Sequence, residues 1–144
     1  MAVGERKDPY LSNRFLVEID GIIAGGFSEA SGLQVEIETE DYREGGVNDY
    51  VHKLPKITKY QNITLKRGTT DSEVLWKWHQ DAVAGKIQRK AGRIILLDSE
   101  GNETWHWTFE GAYPVKWTGP DFKADTSTIA IETLELAHHG LKKG

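Results

Sequence analysis

Apolar and polar residues alternate with a period of two along most of this chain, and that period marks strands. In RFLVEID, Phe15, Val17 and Ile19 share one face while Arg14, Glu18 and Asp20 share the other, which predicts a half-buried strand. Gly21 and the pair Gly25-Gly26 then mark a turn or bulge ahead of Phe27. LQVEIETEDY alternates more cleanly. Leu33, Val35 and Ile37 take one parity, and Gln34, Glu36, Glu38 and Glu40 the other, so one face is apolar and its reverse acidic and wet. From Arg43 to Tyr60 the alternation dissolves into REGGVNDYVHKLPKITKY, with Gly45-Gly46, Asn48, Asp49 and Pro55. A long irregular segment in a small domain is usually functional. Ile63 and Leu65 resume the strand pattern, closed by Gly68.

The period changes once. Val74, Leu75, Trp78 and Ala82 form a stripe at helical spacing, with Gly85 as the stop and Thr70 and Glu73 at capping-box spacing in front. The helix expected there covers about residues 71–84. Beyond it, Ile94 to Leu97 is apolar on both parities, as in a strand covered on both sides. DSEGN (98–102) reads as a hairpin loop with Gly101 in a left-handed position. In ETWHWTFEGAY, Trp105, Trp107, Phe109 and Tyr113 share one face, and His106, Thr108 and Glu110 the other. Ile129 and Ile131 lie on one parity and Leu134 and Leu136 on the opposite one, which predicts a bulge near Thr133. These elements define a mainly β fold: a small antiparallel β-barrel or sandwich with one flanking helix. A chain of 144 residues is most simply one domain, 1–144, with a polar arm over residues 1–13.

Composition narrows the function by removing chemistry. The chain has no Cys, which removes disulfides, thiolate metal sites and cysteine nucleophiles. Its net charge of -4 is unlike the basic footprint of a duplex-DNA binder. The longest apolar runs fall far short of the ~20 residues of a membrane helix, and the N-terminus lacks an apolar stretch of signal-peptide length. A chain made in the cytoplasm without a signal peptide, and without a membrane anchor, is expected. His52, His79, His106, His138 and His139 show no metal-ligand spacing. No G-x-S-x-G elbow, phosphate-binding loop or dinucleotide fingerprint is present. Glu36 and Glu38 alternate as any solvated face does, not as a catalytic pair in a cleft. No catalytic residue, cofactor or metal site is expected. Two readings remain open: an assembly subunit, or a monomeric β-barrel module holding a ligand on the Trp105/Trp107 strand. The residues interleaved with those rings are not Lys or Arg, which favours core packing for them.

One resemblance favours the first reading. YREGGVNDYVHKLPKITKYQNITLKRG (42–68) resembles the central segment of the tail tube proteins of contractile phages and related injection systems. NRFLVEIDGIIAGGFSEASGL (13–33) is similar to that family's opening and VLWKWHQDAVAGK (74–86) to its helix. IILLDSEGNETWHWTFEGAYPVKWTGPDFKA (94–124) and IAIETLELAHHGL (129–141) are similar to its closing strands. The blocks follow the family's order over nearly the whole chain. Lys56 follows Pro55 where the family pattern has Gly, and His139 stands where an acidic residue is frequent.

The resemblance implies a non-enzymatic structural subunit. Hexameric rings would stack into a hollow tube inside a contractile sheath, with baseplate and terminator or cap proteins at its ends. Contraction would drive the tube through a target envelope, with DNA or protein cargo carried in the lumen without sequence-specific binding. The 43–60 loop would then make the ring-to-ring contact through Arg43, Glu44, Gly45, Gly46, Val47, Asn48, Asp49, Tyr50, Lys53 and Leu54. Glu36, Glu38 and Glu40 become candidates for the lumen lining, and the arm and the tail (139–144) would reach adjacent subunits. The particle would be a phage virion or a released injection machine. A type VI secretion tube protein is the alternative within the resemblance, ranked lower because KLPKITKY and LKRG look more like the phage-tail branch.

Overall fold

A computed structural model describes residues 10–11, 13–24, 26–42, 52–69 and 72–144. Among them the chain forms β1 (Phe15–Ile19), β2 (Ile22–Ile23), β3 (Glu29–Ser31), β4 (Val35–Tyr42), β5 (His52–Tyr60) and β6 (Ile63–Gly68). After α1 (Val74–Val83) come β7 (Lys90–Leu97), β8 (Glu103–Thr118), β9 (Ile131–Ala137) and β10 (Gly140–Lys143). Every strand pairing is antiparallel.

The architecture turns on β8, whose 16 residues serve two sheets. Its first part pairs with β7 on one side and β10 on the other, giving the order β2-β1-β7-β8-β10. Its last part, Tyr113 to Thr118, pairs with β9 and leads into the order β8-β9-β6-β3. Between the two, the register steps from Pro114↔Leu136 to Lys116↔Glu135. That bulge bends the strand from one sheet into the other, and Pro114, which cannot donate to a ladder, is tolerated beside it. The strand order is open from β2 to β3, so this is a pair of antiparallel sheets and not a closed barrel.

The core lies between these sheets and takes alternate residues of each strand, except in β8. There the parity changes between Phe109 and Ala112, where the register with β7 shifts at Gly111, so Tyr113 does not share the Phe109 face as expected. Val17 and Ile19, Ile63 and Leu65, Leu134 and Leu136, with Ile94, Phe109 and Ala112, pack against Leu75 and Trp78 of α1. Phe109 is fully buried, and its ring lies over Gly92, its cross-strand neighbour. A side chain at position 92 would meet that ring and the Glu18 carbonyl, so Gly92 is what admits the phenyl group.

The same parity on β6 carries a charge inward. Arg67 follows Ile63 and Leu65 on the buried face and is only 4% exposed. Its Nε donates to Glu132 Oε1 at 2.5 Å, directly across the β6–β9 ladder. Nη1 donates to the Ala24 carbonyl at 3.4 Å and Nη2 to the Ser72 carbonyl at 3.2 Å, while Trp117 Nε1 donates to Glu132 Oε2 at 3.4 Å. The Arg67 guanidinium also stands 5.8 Å from the centre of the Phe27 ring. A buried charge needs this full set of partners, because desolvation of an unpaired ion costs several kcal/mol.

Several expectations hold and others are corrected. Ile94, Ile95 and Leu96 are all buried, as a strand apolar on both parities requires. Gly101 takes a positive φ of 85°, and Asp98 Oδ1 accepts from the Glu100 and Asn102 N–H groups, both at 2.9 Å. Gly85 ends the helix at φ 89°. The helix begins later than predicted, at Val74, so Glu73 is its N-cap and not the third helical residue of a capping box; Thr70 lies outside the described residues. No bulge sits at Thr133: β9 keeps a regular register with β6, and Ile129 precedes the strand, so the parity change is a strand boundary. The 43–60 segment is not irregular throughout, because residues 52–60 form β5 despite Pro55.

Arg67→Met should destabilise the subunit by about 3–5 kcal/mol, since Glu132, which keeps 14% of its side-chain surface, is left largely desolvated without its cation. The double variant Arg67→Met, Glu132→Leu should recover most of that loss. Urea unfolding at one fixed protein concentration measures both, assembly being an added source of apparent stability.

Candidate functional site

The segment that stands apart from this core is the β4–β5 hairpin. Its strands of eight and nine residues pair only with each other among the described residues. A backbone hydrogen bond from Gln61 N to the Gln34 carbonyl, 3.2 Å, closes the hairpin at its root. Opposed pairs run from Val35↔Tyr60 out to Tyr42↔His52, with one register shift between Ile37 and Thr39. The alternation Leu33, Val35, Ile37 predicts an inward apolar face, but Val35 is 48% and Ile37 57% exposed. Leu54 and Ile57 on β5 are also exposed. The hairpin does not lie on the core, so both of its faces reach the surface of the subunit. A two-stranded ribbon is marginal alone in water and needs a cover to be stable.

The acidic residues lie on β4 as expected, but they are not alone. Glu36 stands opposite Lys59 in the register, and Lys59 Nζ is 3.3 Å from Glu38 Oε1. Asp41 stands opposite Lys53, and Glu40 opposite Leu54. Of the residues proposed for a ring-to-ring contact, Lys53 and Leu54 lie on β5 near the hairpin's outer end. Arg43, Glu44, Gly45, Gly46, Val47, Asn48, Asp49 and Tyr50 lie outside the described residues.

Elsewhere the edges are blunted or occupied. The ends of the main strand order, β2 and β3, are two and three residues long, and short edge strands resist uncontrolled pairing. The C-terminal tail pairs as β10 with β8 of its own chain, from Gly140↔Glu110 to Lys143↔Trp107. On the face of the first sheet opposite the core, charges are matched across strands. Arg93 Nη2 contacts Glu18 Oε2 at 2.5 Å and its Nη1 lies 3.7 Å from Glu103 Oε1. Lys142 Nζ lies 3.2 Å from Glu110 Oε1. The hydrogen bond to Glu18 holds the Arg93 guanidinium above its ordinary range, against the opposing effect of desolvation.

Of the rings expected on one face of the aromatic strand, only Phe109 is buried; Trp105, Trp107 and Tyr113 are half-buried. Phe109 is in the core, and Trp107 shares a recess with Phe15, Leu33, Ile94 and Leu96. Lys143 lies 5.6 Å from the Trp105 ring centre. The histidines are dispersed: His106 Nδ1 meets Glu103 at 2.7 Å, and His138 sits between the Gln61 and Gly140 carbonyls. Sequence reasoning passed over Arg67, although its position two residues after Leu65 on a buried parity was the available signal.

Two antiparallel sheets carrying a hairpin that pairs with no further strand among the described residues are the architecture to be matched. The comparisons identify the family. Residues 11–142 match the T4-like virus tail tube protein gp19 family, and the chain belongs to it. A search of curated proteins finds no significant match. Among solved structures, the chain is similar to a chain in the anti-feeding prophage (AFP) baseplate, determined by cryo-EM and 6-fold symmetrised. The TM-score is 0.86 at 27% identity, covering 96% of this chain and 97% of that one. It is also similar to a chain in the PVC sheath–tube complex of an extracellular contractile injection system in the extended state. There the TM-score is 0.85 at 26% identity, over 94% of this chain and 91% of that one. Hcp1 from Flavobacterium johnsoniae shares the fold at 19% identity, TM-score 0.63, over 90% and 94% of the two chains.

The double variant Val35→Ser, Ile37→Ser should leave the isolated subunit's unfolding free energy within about 1 kcal/mol of the parent, because both side chains are already exposed. Its sedimentation profile should nevertheless lose the assembled species. A loss of subunit stability matching the loss of assembly would place these residues in the fold and not in a contact.

Proposed function

We propose that this chain is the structural subunit of the inner tube of a contractile phage tail or phage-derived injection system. Copies form hexameric rings, and rings stack into a hollow tube within a sheath, capped and seated by terminator and baseplate proteins. The observation that carries this is the β4–β5 hairpin, exposed on both faces in a chain that matches the tail tube family over residues 11–142. Such a ribbon is stable only when something covers it, and repeated copies supply a cover at every position. The similarity to chains of a 6-fold symmetrised baseplate and of a sheath–tube complex supports both the ring symmetry and the surrounding sheath.

The protein's role in this reading is mechanical, and its residues bind, pack and repel without making or breaking bonds. Residues 43–50, with Lys53 and Leu54 of β5, make the contact between stacked rings. Glu36, Glu38 and Glu40 face the lumen, where carboxylates among lysines give a surface that holds no cargo tightly, whether DNA or protein. The subunit is made in the bacterial cytoplasm and acts in a virion or released particle.

Negative-stain electron microscopy over a concentration series tests the reading. Rings or tubes of one diameter are expected, with or without a baseplate to seed them. Deleting Gly45 to Tyr50 should abolish stacking while leaving the far-ultraviolet circular dichroism of the β-domain intact. Full-length tubes from the deletion variant would remove the contact from that segment. A strictly monomeric protein in the presence of seeds would overturn the tube reading.

A further inference from the structure

His138 stands in the turn between β9 and β10, and its two ring nitrogens meet the same kind of partner. Nε2 lies 2.9 Å from the Gln61 carbonyl oxygen, and Nδ1 lies 3.1 Å from the Gly140 carbonyl oxygen. A carbonyl oxygen accepts and never donates. A neutral imidazole carries one N–H, so in either tautomer one of these oxygens faces a nitrogen lone pair. Turning the ring over sets ring carbons against both oxygens and loses both hydrogen bonds. Only the imidazolium donates to both at once.

The two carbonyls belong to different parts of the subunit. Gly140 opens β10, which pairs with β8 in the folded body. Gln61 lies at the hairpin root, between β5 and β6, and its own N–H donates to the Gln34 carbonyl at 3.2 Å. The ring of Tyr60, the last residue of β5, is 5.4 Å from the His138 ring, and the buried Phe109 ring is 6.3 Å from it. We propose that His138 is a proton-operated clasp between the β4–β5 hairpin and the body. The imidazolium bridges Gln61 and Gly140; loss of one proton releases one of the two carbonyls and loosens the root. The clasp is complete within a single subunit, so it stands or falls independently of the tube reading.

The charged groups around the ring have other partners. On β9, Glu135 accepts from Asn62 Nδ2 at 3.3 Å. On β8, Glu110 stands opposite Gly140 and lies 3.2 Å from Lys142 Nζ. On β5, Lys59, beside Tyr60, reaches Glu38 at 3.3 Å. His139, next in the turn, lies against Gly111, where a side chain would overlap its ring. Tyr60 completes the set. Carboxylates titrate at about pH 4 and phenols and amines at about pH 10, so between about pH 5.5 and 8 imidazole is the side chain that changes charge. The sign follows from the donor count. Lowering the pH through that range adds a donor to the clasp and tightens the root; raising it removes the donor.

Amide hydrogen exchange on the full-length chain tests the clasp, at a concentration where sedimentation shows single subunits. The Gln61 N–H reports on the root, because it is bonded across it to Gln34. Corrected for intrinsic rate, its protection should be about fivefold or more higher at about pH 5.5 than at about pH 8. His138→Gln keeps an N–H donor at every pH and binds no proton, so the pH dependence should vanish in that variant. His139→Gln should retain it. Nitrogen-15 spectra of the parent give a readout that needs no variant. At about pH 5.5 His138 should show two ring N–H protons in slow exchange with water, and His139 only fast ones. Equal protection of Gln61 at the two pH values would overturn the clasp. So would pH dependence that persists in H138Q or is lost in H139Q, or fast exchange of both His138 ring protons. None of these results bears on whether the parent forms rings, which microscopy decides separately.

Discussion

A strand that belongs to two sheets cannot move in one without moving in the other, and β8 imposes that constraint on the whole subunit. Its first half is held between β7 and β10, and its last part runs beside β9. The bulge at Pro114–Lys116 sets the angle between the halves. Phe109 and Ala112 before the bend, and Trp117 after it, are carried into the same interior by one continuous backbone. Trp117 stacks edge-on to Trp76 of α1 at 4.5 Å and donates to Glu132, which in turn holds Arg67. The helix, the second sheet and the Ala24 turn are thereby fixed to one strand. A buried ion pair stabilises little against an apolar pair of equal volume, but displacing its partners leaves a desolvated charge uncompensated. In this chain keeping those partners fixes the relative placement of the sheets, the turn and the helix entry.

The hairpin is the complement of that rigid body. It adds no residue to the core cluster, and it meets the folded body at its root, through Gln34, Gln61 and the Tyr60 ring 5.4 Å from that of His138. Covering the hairpin would require neighbouring copies, and the folded body determines where each copy presents its own hairpin. Precision in the body then becomes precision in the assembly: an error in the bend of β8 would be repeated at every junction of a ring and would prevent closure. This gives a physical reason for a core that specifies one geometry in a member of a structural tail tube family.

Much of this was legible in the sequence because period-two alternation and turn residues act locally. Phe15 to Ile19, Ile63 to Leu65, Ile94 to Leu97 and the DSEGN turn were all read from patterns spanning a few residues, as was the Gly85 helix stop. What misled was alternation without a core to face. Leu33 does pack against the core, but Val35 and Ile37 continue its pattern into the open, and alternation alone does not say whether the covering surface belongs to the same chain. β5 was hidden for a different reason. HKLPKITKY has Lys at irregular intervals and a Pro, which lower its strand signal, and only its pairing with β4 makes it a strand. The family resemblance supplied the assembly that the local pattern could not, and the match over residues 11–142 supports it.

The two kinds of electrostatics in this molecule divide its labour. The Arg67–Glu132 pair is desolvated, and its geometry is enforced by backbone carbonyls and aromatic rings, so it responds little to ionic strength. The hairpin pairs are exposed; Lys59 and Glu38 keep 55% and 40% of their side-chain surface. Exposed pairs are weak one at a time and are screened by salt, and that is useful in an assembly built by trial. A misplaced copy held by a few screened contacts leaves readily, whereas a correctly placed one engages the whole edge. In a tube built from this subunit, strong specific interactions inside the subunit and weak repeated ones on its surface would let a ring correct its errors before the next ring stacks.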